Sequence, residues 1–241
     1  MPFVNLNSFP NGWKWNGKLK QHIKIKHYNN LKNLDDAQID QISNFLNGQI
    51  MNSKIFSFFN WVIYFNPIPS LEIYFICERN IKKGDNFAMF FSKESGVHPI
   101  EELYGFAMIY LTCLSIIGYN KDFHTNILQN DDFIEIENIT SDKKYKNLIL
   151  NKCYKNQMNI REILKNIEHF NIIQDYTVKK DQITIDIHPI KNIKFRYIES
   201  ESSKKLMVTK DTLNFYSKKL LISLAVLIFN ALNREYLKNK N

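Results

Sequence analysis

The chain has 241 residues, 44% of them hydrophobic, with only seven glycines and six prolines; it is long enough to bury a core and too apolar to be a disordered tail. Thirty-two Lys and Arg stand against 24 Asp and Glu, leaving a formal net charge of +8 that favours anionic partners. Almost all of that charge is lysine, with arginine only at Arg79, Arg161, Arg196 and Arg234, which argues against bidentate reading of bases or phosphates.

The opening stretch, MPFVNLNSFPNGWKW, has no basic region followed by an apolar run, so no signal peptide is predicted. Pro10-Asn11-Gly12 marks a turn. In KLKQHIKIKHY, residues Lys18, Lys20, Lys24 and Lys26 alternate with Leu19, Ile23 and Ile25, which predicts an edge strand with a lysine face. LDDAQIDQISNFLNGQI predicts a helix capped near Asp35, with Ile39, Ile42, Phe45 and Leu46 as its apolar stripe. SKIFSFFNWVIYF, SLEIYFICERN and NFAMFFS predict three antiparallel strands, the first two joined through Pro67 and Pro69.

HPIEELYGFAMIYLTCLSIIGY predicts a helix with Pro99 at its start and Gly118 as its stop. Being apolar all round, it belongs inside a layer or at a subunit interface. FIEIENI predicts a short strand. SDKKYKNLILNKCY and NIREILKNIEHF predict helices, the second with Asn159 and Glu162 as a capping box.

From Asn171 to Thr209 a period of two predicts a four-stranded meander, in which Asp186 has Lys194 or Arg196 as a cross-strand partner. A long helix then runs from about Asp211 or Thr212, with Leu213, Tyr216, Leu220, Leu224, Leu227, Ile228, Ala231 and Leu232 inward. Its apolar stretch, Leu220 to Leu232, is shorter than the ~20 residues a bilayer demands, so no transmembrane segment is predicted. The expected class is α+β: antiparallel sheets packed against a central apolar helix and a long C-terminal helix. The expected division is an N-terminal α+β region, 1–120, and a C-terminal meander with helices, 133–241, either separate or one continuous domain.

Chemical motifs are missing. There is no Walker A, GxGxxG, GxSxG or HExxH, and the six histidines are scattered. No metal or cofactor is expected. His98 with Glu101 and Glu102 reads as helix-start chemistry ahead of acid–base catalysis. Cys77, Cys113 and Cys153 are odd in number and form no CxxC, which points to free thiols in a reducing, cytoplasmic setting. Cys113 sits in the most apolar helix, where burial would suppress a thiolate.

Phe9, Trp13 and Trp15 stand in a polar stretch and either fasten the N-terminal arm to its own body or dock on a partner. The expected function is therefore a non-catalytic structural or adaptor component of a protein assembly, acting through aromatic and apolar contacts with other subunits or with itself. The alternative is a nucleic-acid-associated protein using Lys18, Lys20, Lys24, Lys26, Lys143 and Lys144 against phosphates. A weaker third reading is an enzyme whose site is assembled from distant residues.

Overall fold

Among the described residues the chain forms two five-stranded antiparallel sheets, each with its own helices. The computed structural model describes residues 3–32, 34–51, 56–79, 86–119, 131–155, 159–165 and 170–238, in two units, Met1–Thr125 and Asn126–Asn241. The class is α+β, as the sequence predicts. Most of the polar stretch 119–132, where a boundary is expected, lies outside the described residues.

The N-terminal unit opens with strand β1 (Phe3–Val4) and a 3₁₀ turn over Leu6–Ser8, capped by Asn5 Oδ1 accepting from the Asn7 amide at 2.9 Å. Helix α1 (Gly12–His22) continues through a π turn, Ile23–His27, into α2 (Tyr28–Leu31). This overturns the strand predicted over Lys18–Tyr28. Gly12, Asn16, Leu19, Ile23, His27 and Leu31 are buried, and their spacing of three to four is helical. Ile25, which a strand would bury beside Ile23, is 65% exposed. The lysine alternation overlies a four-residue apolar period, and lysine, leucine and glutamine all favour helix.

Helix α3 (Asp36–Phe45) has a full capping box: Asp35 accepts from the Gln38 amide at 2.8 Å, and Gln38 accepts from the Asp35 amide at 3.0 Å. Strands β2 (Gln49–Ile50), β3 (Trp61–Ile68), β4 (Leu71–Glu78) and β5 (Asn86–Ser92) complete the sheet, in the order β1-β5-β4-β3-β2. Alternation puts Ile63, Phe65, Ile73, Phe75, Phe87, Met89 and Phe91 on one face. Helix α4 (Ile100–Tyr119) covers that face, with the Tyr110 ring 4.8 Å from Phe65 and tilted against it. α1, α2 and α3 pack around α4, which explains why it is apolar on every side. By length and composition α4 could cross a bilayer, but 67% of its most apolar window is buried inside the protein.

Gly118 is not a stop, because α4 runs through it to Tyr119. Its missing side chain admits α2 instead: a Cβ there would lie 3.1 Å from the Asn30 carbonyl oxygen. Asn30 also donates to Ser115 Oγ at 2.9 Å. On the opposite face of the sheet, Phe3, Phe56, Val62, Tyr74 and Ile76 form a second buried cluster.

The C-terminal unit contains β6 (Phe133–Glu135), α5 (Lys143–Ile149) running into a π turn over Leu150–Tyr154, and α6 (Ile160–Leu164). Asn159 caps α6 through the Arg161 amide at 3.0 Å, while Glu162 binds Lys165 at 2.7 Å and makes no capping box. The predicted meander is present as β7 (Ile173–Val178), β8 (Gln182–Ile190), β9 (Ile193–Ser200) and β10 (Lys204–Thr209), in the order β6-β10-β9-β8-β7.

The predicted single C-terminal helix is two: α7 (Thr212–Phe215) and α8 (Lys218–Lys238). Tyr216 is extended between them because its hydroxyl donates to Asn192 Oδ1 at 2.7 Å. Ser217 Oγ then accepts from the Leu220 amide at 3.2 Å and starts α8. The break shifts the inward face to Leu221, Leu224, Ala225, Ile228, Phe229 and Leu232, leaving Leu220 and Leu227 half-buried. Phe229 meets Tyr197 of β9 at 5.0 Å.

Candidate docking surface on the N-terminal unit

The clearest surface feature is α1 with its π extension. Asp35 is the first acidic residue of the chain, and Lys14, Lys18, Lys20, Lys24, Lys26 and Lys32 precede it. The helix therefore carries no carboxylate, and its solvent side is mainly lysine, with Trp13 and Ile25 exposed among them. Trp13 is 75% exposed. Trp15, two residues on, lies around the helix and packs 4.8 Å from Tyr104 of α4, beneath the Lys18 ammonium at 4.7 Å. Phe9 meets Phe91 edge-on at 6.3 Å. The three aromatics thus separate: Phe9 and Trp15 contact their own unit, and Trp13 projects from it.

Lys18, Lys20, Lys24 and Lys26 are exposed on this helix, and Lys143 and Lys144 are exposed on α5. The two basic groups belong to different units. His27 is buried, and burial, followed by the nearby charges of His22 and Lys26, lowers its ring to about 4.

Beside the helix, β5 has an open edge. Among the described residues β1 pairs with Phe91 and Ser92 alone, and the chain then turns away into the Leu6–Ser8 turn. Among the described residues, Asn86–Phe90 has a strand partner, β4, on one side only. The space between this edge and α1 is a cleft of about 680 Å³. Leu19, Ile23, Phe87 and Met89 line it with apolar groups; Lys20, Lys24, Asn5 and Asn16 add polar ones. Sequence reasoning missed this cleft, because it depends on where a two-residue strand stops. Phe58, 80% exposed, was missed as well.

The catalytic candidates are held in structural contacts. His98 is buried, with its Nε2 3.1 Å from the Pro69 carbonyl oxygen. All three cysteines are buried thiols that form no disulfide. Burial pushes the Cys113 thiol far up and the Cys153 thiol up to about 12, so neither is a thiolate near neutrality. Asp175 and Asp186 are cross-strand neighbours, but Asp186 is engaged by Arg196 at 2.6 Å and Lys194 at 3.3 Å, and Lys194 also holds Asp131 at 2.7 Å. Among the described residues, no group of three His, Cys, Asp or Glu is placed to hold a metal ion. A smaller cleft of about 380 Å³ in the C-terminal unit is lined by Arg161, Asp181 and Glu199. The Arg161 guanidinium there donates to the Lys179 and Lys180 carbonyls at 3.2 and 3.0 Å. The chain matches no family model, no curated protein and no solved structure.

Proposed function

We propose that the chain is a non-catalytic adaptor or structural component of a larger protein assembly, docking through its N-terminal unit in a reducing compartment, the cytoplasm. The observation that carries this reading is Trp13, an indole 75% exposed on a helix whose other indole, Trp15, is packed against Tyr104. Rigid aromatic anchors of this kind dominate interface energies. Phe58 adds a second exposed ring on the same unit.

The test is gentle isolation of the protein from its native cell, followed by identification of what travels with it. Trp13→Ala should reduce recovery of the partner by about tenfold or more while leaving the fold intact. If the variant retains every partner, the reading fails. The lysines of the carboxylate-free helix support a second reading, association with nucleic acid. Retention on nucleic acid that falls steeply with salt, and falls further when Lys18 and Lys26 are replaced by glutamate, would favour that reading instead.

A further inference from the structure

We propose that the cleft between α1 and β5 receives an extended, acidic segment of a partner polypeptide, which joins the sheet as an added strand on β5. The proposal rests on the adaptor reading and names the chemistry of what is bound. Three observations converge on it. First, an unpaired strand edge offers N–H and C=O groups from alternate residues, and an extended chain satisfies them in register. The open stretch Asn86–Phe90 gives about 17 Å of ladder at ~3.4 Å per residue.

Second, the facing wall suits a strand. Leu19 and Ile23 of the helix, with Phe87 and Met89 of β5, make an apolar floor for the incoming side chains that point toward α4. The π turn brings both Ile23 and His27 inward, and such turns recur at functional sites. Alternate side chains of the guest should therefore be apolar.

Third, the charge of the wall selects the remaining positions. Lys20 and Lys24 line the cleft, and neither has a carboxylate partner among the described residues. No acidic residue occurs before Asp35 to compensate them. Opposite charge placed beside both lysines steers association and disfavours basic competitors. The guest is thus acidic at its polar positions. A second copy of this chain fits less well: two β5 edges brought together would set Lys20 and Lys24 of each copy near those of the other.

The test uses the full chain and fluorescent peptides of about seven residues, enough to span the open edge. One alternates glutamate with valine or isoleucine. The second carries lysine in place of glutamate, and the third is the glutamate peptide with alternate amides N-methylated. Anisotropy should show the glutamate peptide binding at least about tenfold more tightly than either control. The double variant K20E/K24E, whose changes lie on an exposed surface and whose helicity is checked by circular dichroism, should invert the preference between the first two peptides.

Equal binding of the N-methylated peptide would overturn strand addition. No binding of the glutamate peptide, an unchanged preference in K20E/K24E, or an RNA oligonucleotide that outcompetes the glutamate peptide would each overturn the site. So would a dimer that the glutamate peptide does not dissociate. If a native partner is still lost on Trp13→Ala while the glutamate peptide fails to bind, the adaptor reading survives and only this site falls.

Discussion

Asp186 and Arg196 face each other across β8 and β9 and form a two-pronged pair, Arg196 Nε and a terminal amino group donating to the two Asp186 oxygens at 2.6 and 2.7 Å. Lys194 approaches the same carboxylate at 3.3 Å, and the Arg196 guanidinium lies 4.2 Å from the Phe133 ring centroid. Burial favours the protonated acid, but the hydrogen bonds and charge of Arg196, then Lys194, outweigh it and hold Asp186 below its ordinary value. Asp186→Asn should cost the C-terminal unit about 2 kcal/mol, because it leaves Arg196 facing a neutral amide. The sign with pH follows from the depressed value: the contribution is present above the unfolded carboxyl value, near 3.9, and is lost as pH falls through the folded one. Hydrogen-exchange protection of β8 and β9 amides between pH 5 and 3 measures both effects (the range brackets ~3.9).

Gly12 and Gly17 stand on the same helix and should respond oppositely to alanine. A Cβ on Gly12 would sit 1.6 Å from the Leu6 carbonyl oxygen, a backbone atom that cannot swing aside. Gly12→Ala should therefore pry the Leu6–Ser8 turn off α1 and cost about 3 kcal/mol. Gly17 has nothing within 4 Å of that position. Gly17→Ala should add about 0.5–1 kcal/mol by lowering the entropy lost on folding. Trp13, Trp15 and Trp61 are the chain's three tryptophans and all lie in the N-terminal unit, so fluorescence-detected chemical unfolding isolates these effects.

His27 makes the N-terminal unit acid-sensitive. It is buried and neutral, with its ring lowered to about 4 chiefly by burial and then by His22 and Lys26. The unfolded ring titrates near 6.5, so the unfolded chain binds the extra proton between the two values. Stability is then full above ~6.5 and declines as pH falls toward 4. His27→Gln should flatten part of that slope; a residual slope belongs to His22, whose ring is also lowered, by burial and by Lys26 and Lys18. Tryptophan fluorescence unfolding midpoints at a series of pH values give the comparison.

Where strand periodicity and residue type agree, the fold is legible in the sequence. Ile183, Ile185 and Ile187 alternate with Thr184, Asp186 and His188, and β8 lies where that pattern puts it. The apolar run from Ile100 likewise becomes α4. Legibility fails where two periods overlap, as at Lys18–Lys26, because Leu19 and Ile23 satisfy both a strand and a helix and only the exposure of Ile25 separates them. The open edge of β5 is illegible for another reason. It is set by β1 ending at Val4, and no local signal reports which edge a two-residue strand leaves uncovered. The charge of the facing wall, by contrast, could have been read by noting that no acidic residue precedes Asp35.

Trp13 and Trp15 should separate docking from stability. Trp15 is half-buried, 4.8 Å from Tyr104 and under the Lys18 ammonium. Trp15→Ala removes that ring contact and part of the α1–α4 packing, and should cost about 1–2 kcal/mol. Trp13, 75% exposed, has little packing to lose, so Trp13→Ala should change stability by less than about 0.5 kcal/mol. Chemical unfolding of the two single variants, followed by the remaining tryptophans, is the direct measurement. A Trp13→Ala loss as large as that of Trp15→Ala would make Trp13 a packing residue and remove it as an anchor.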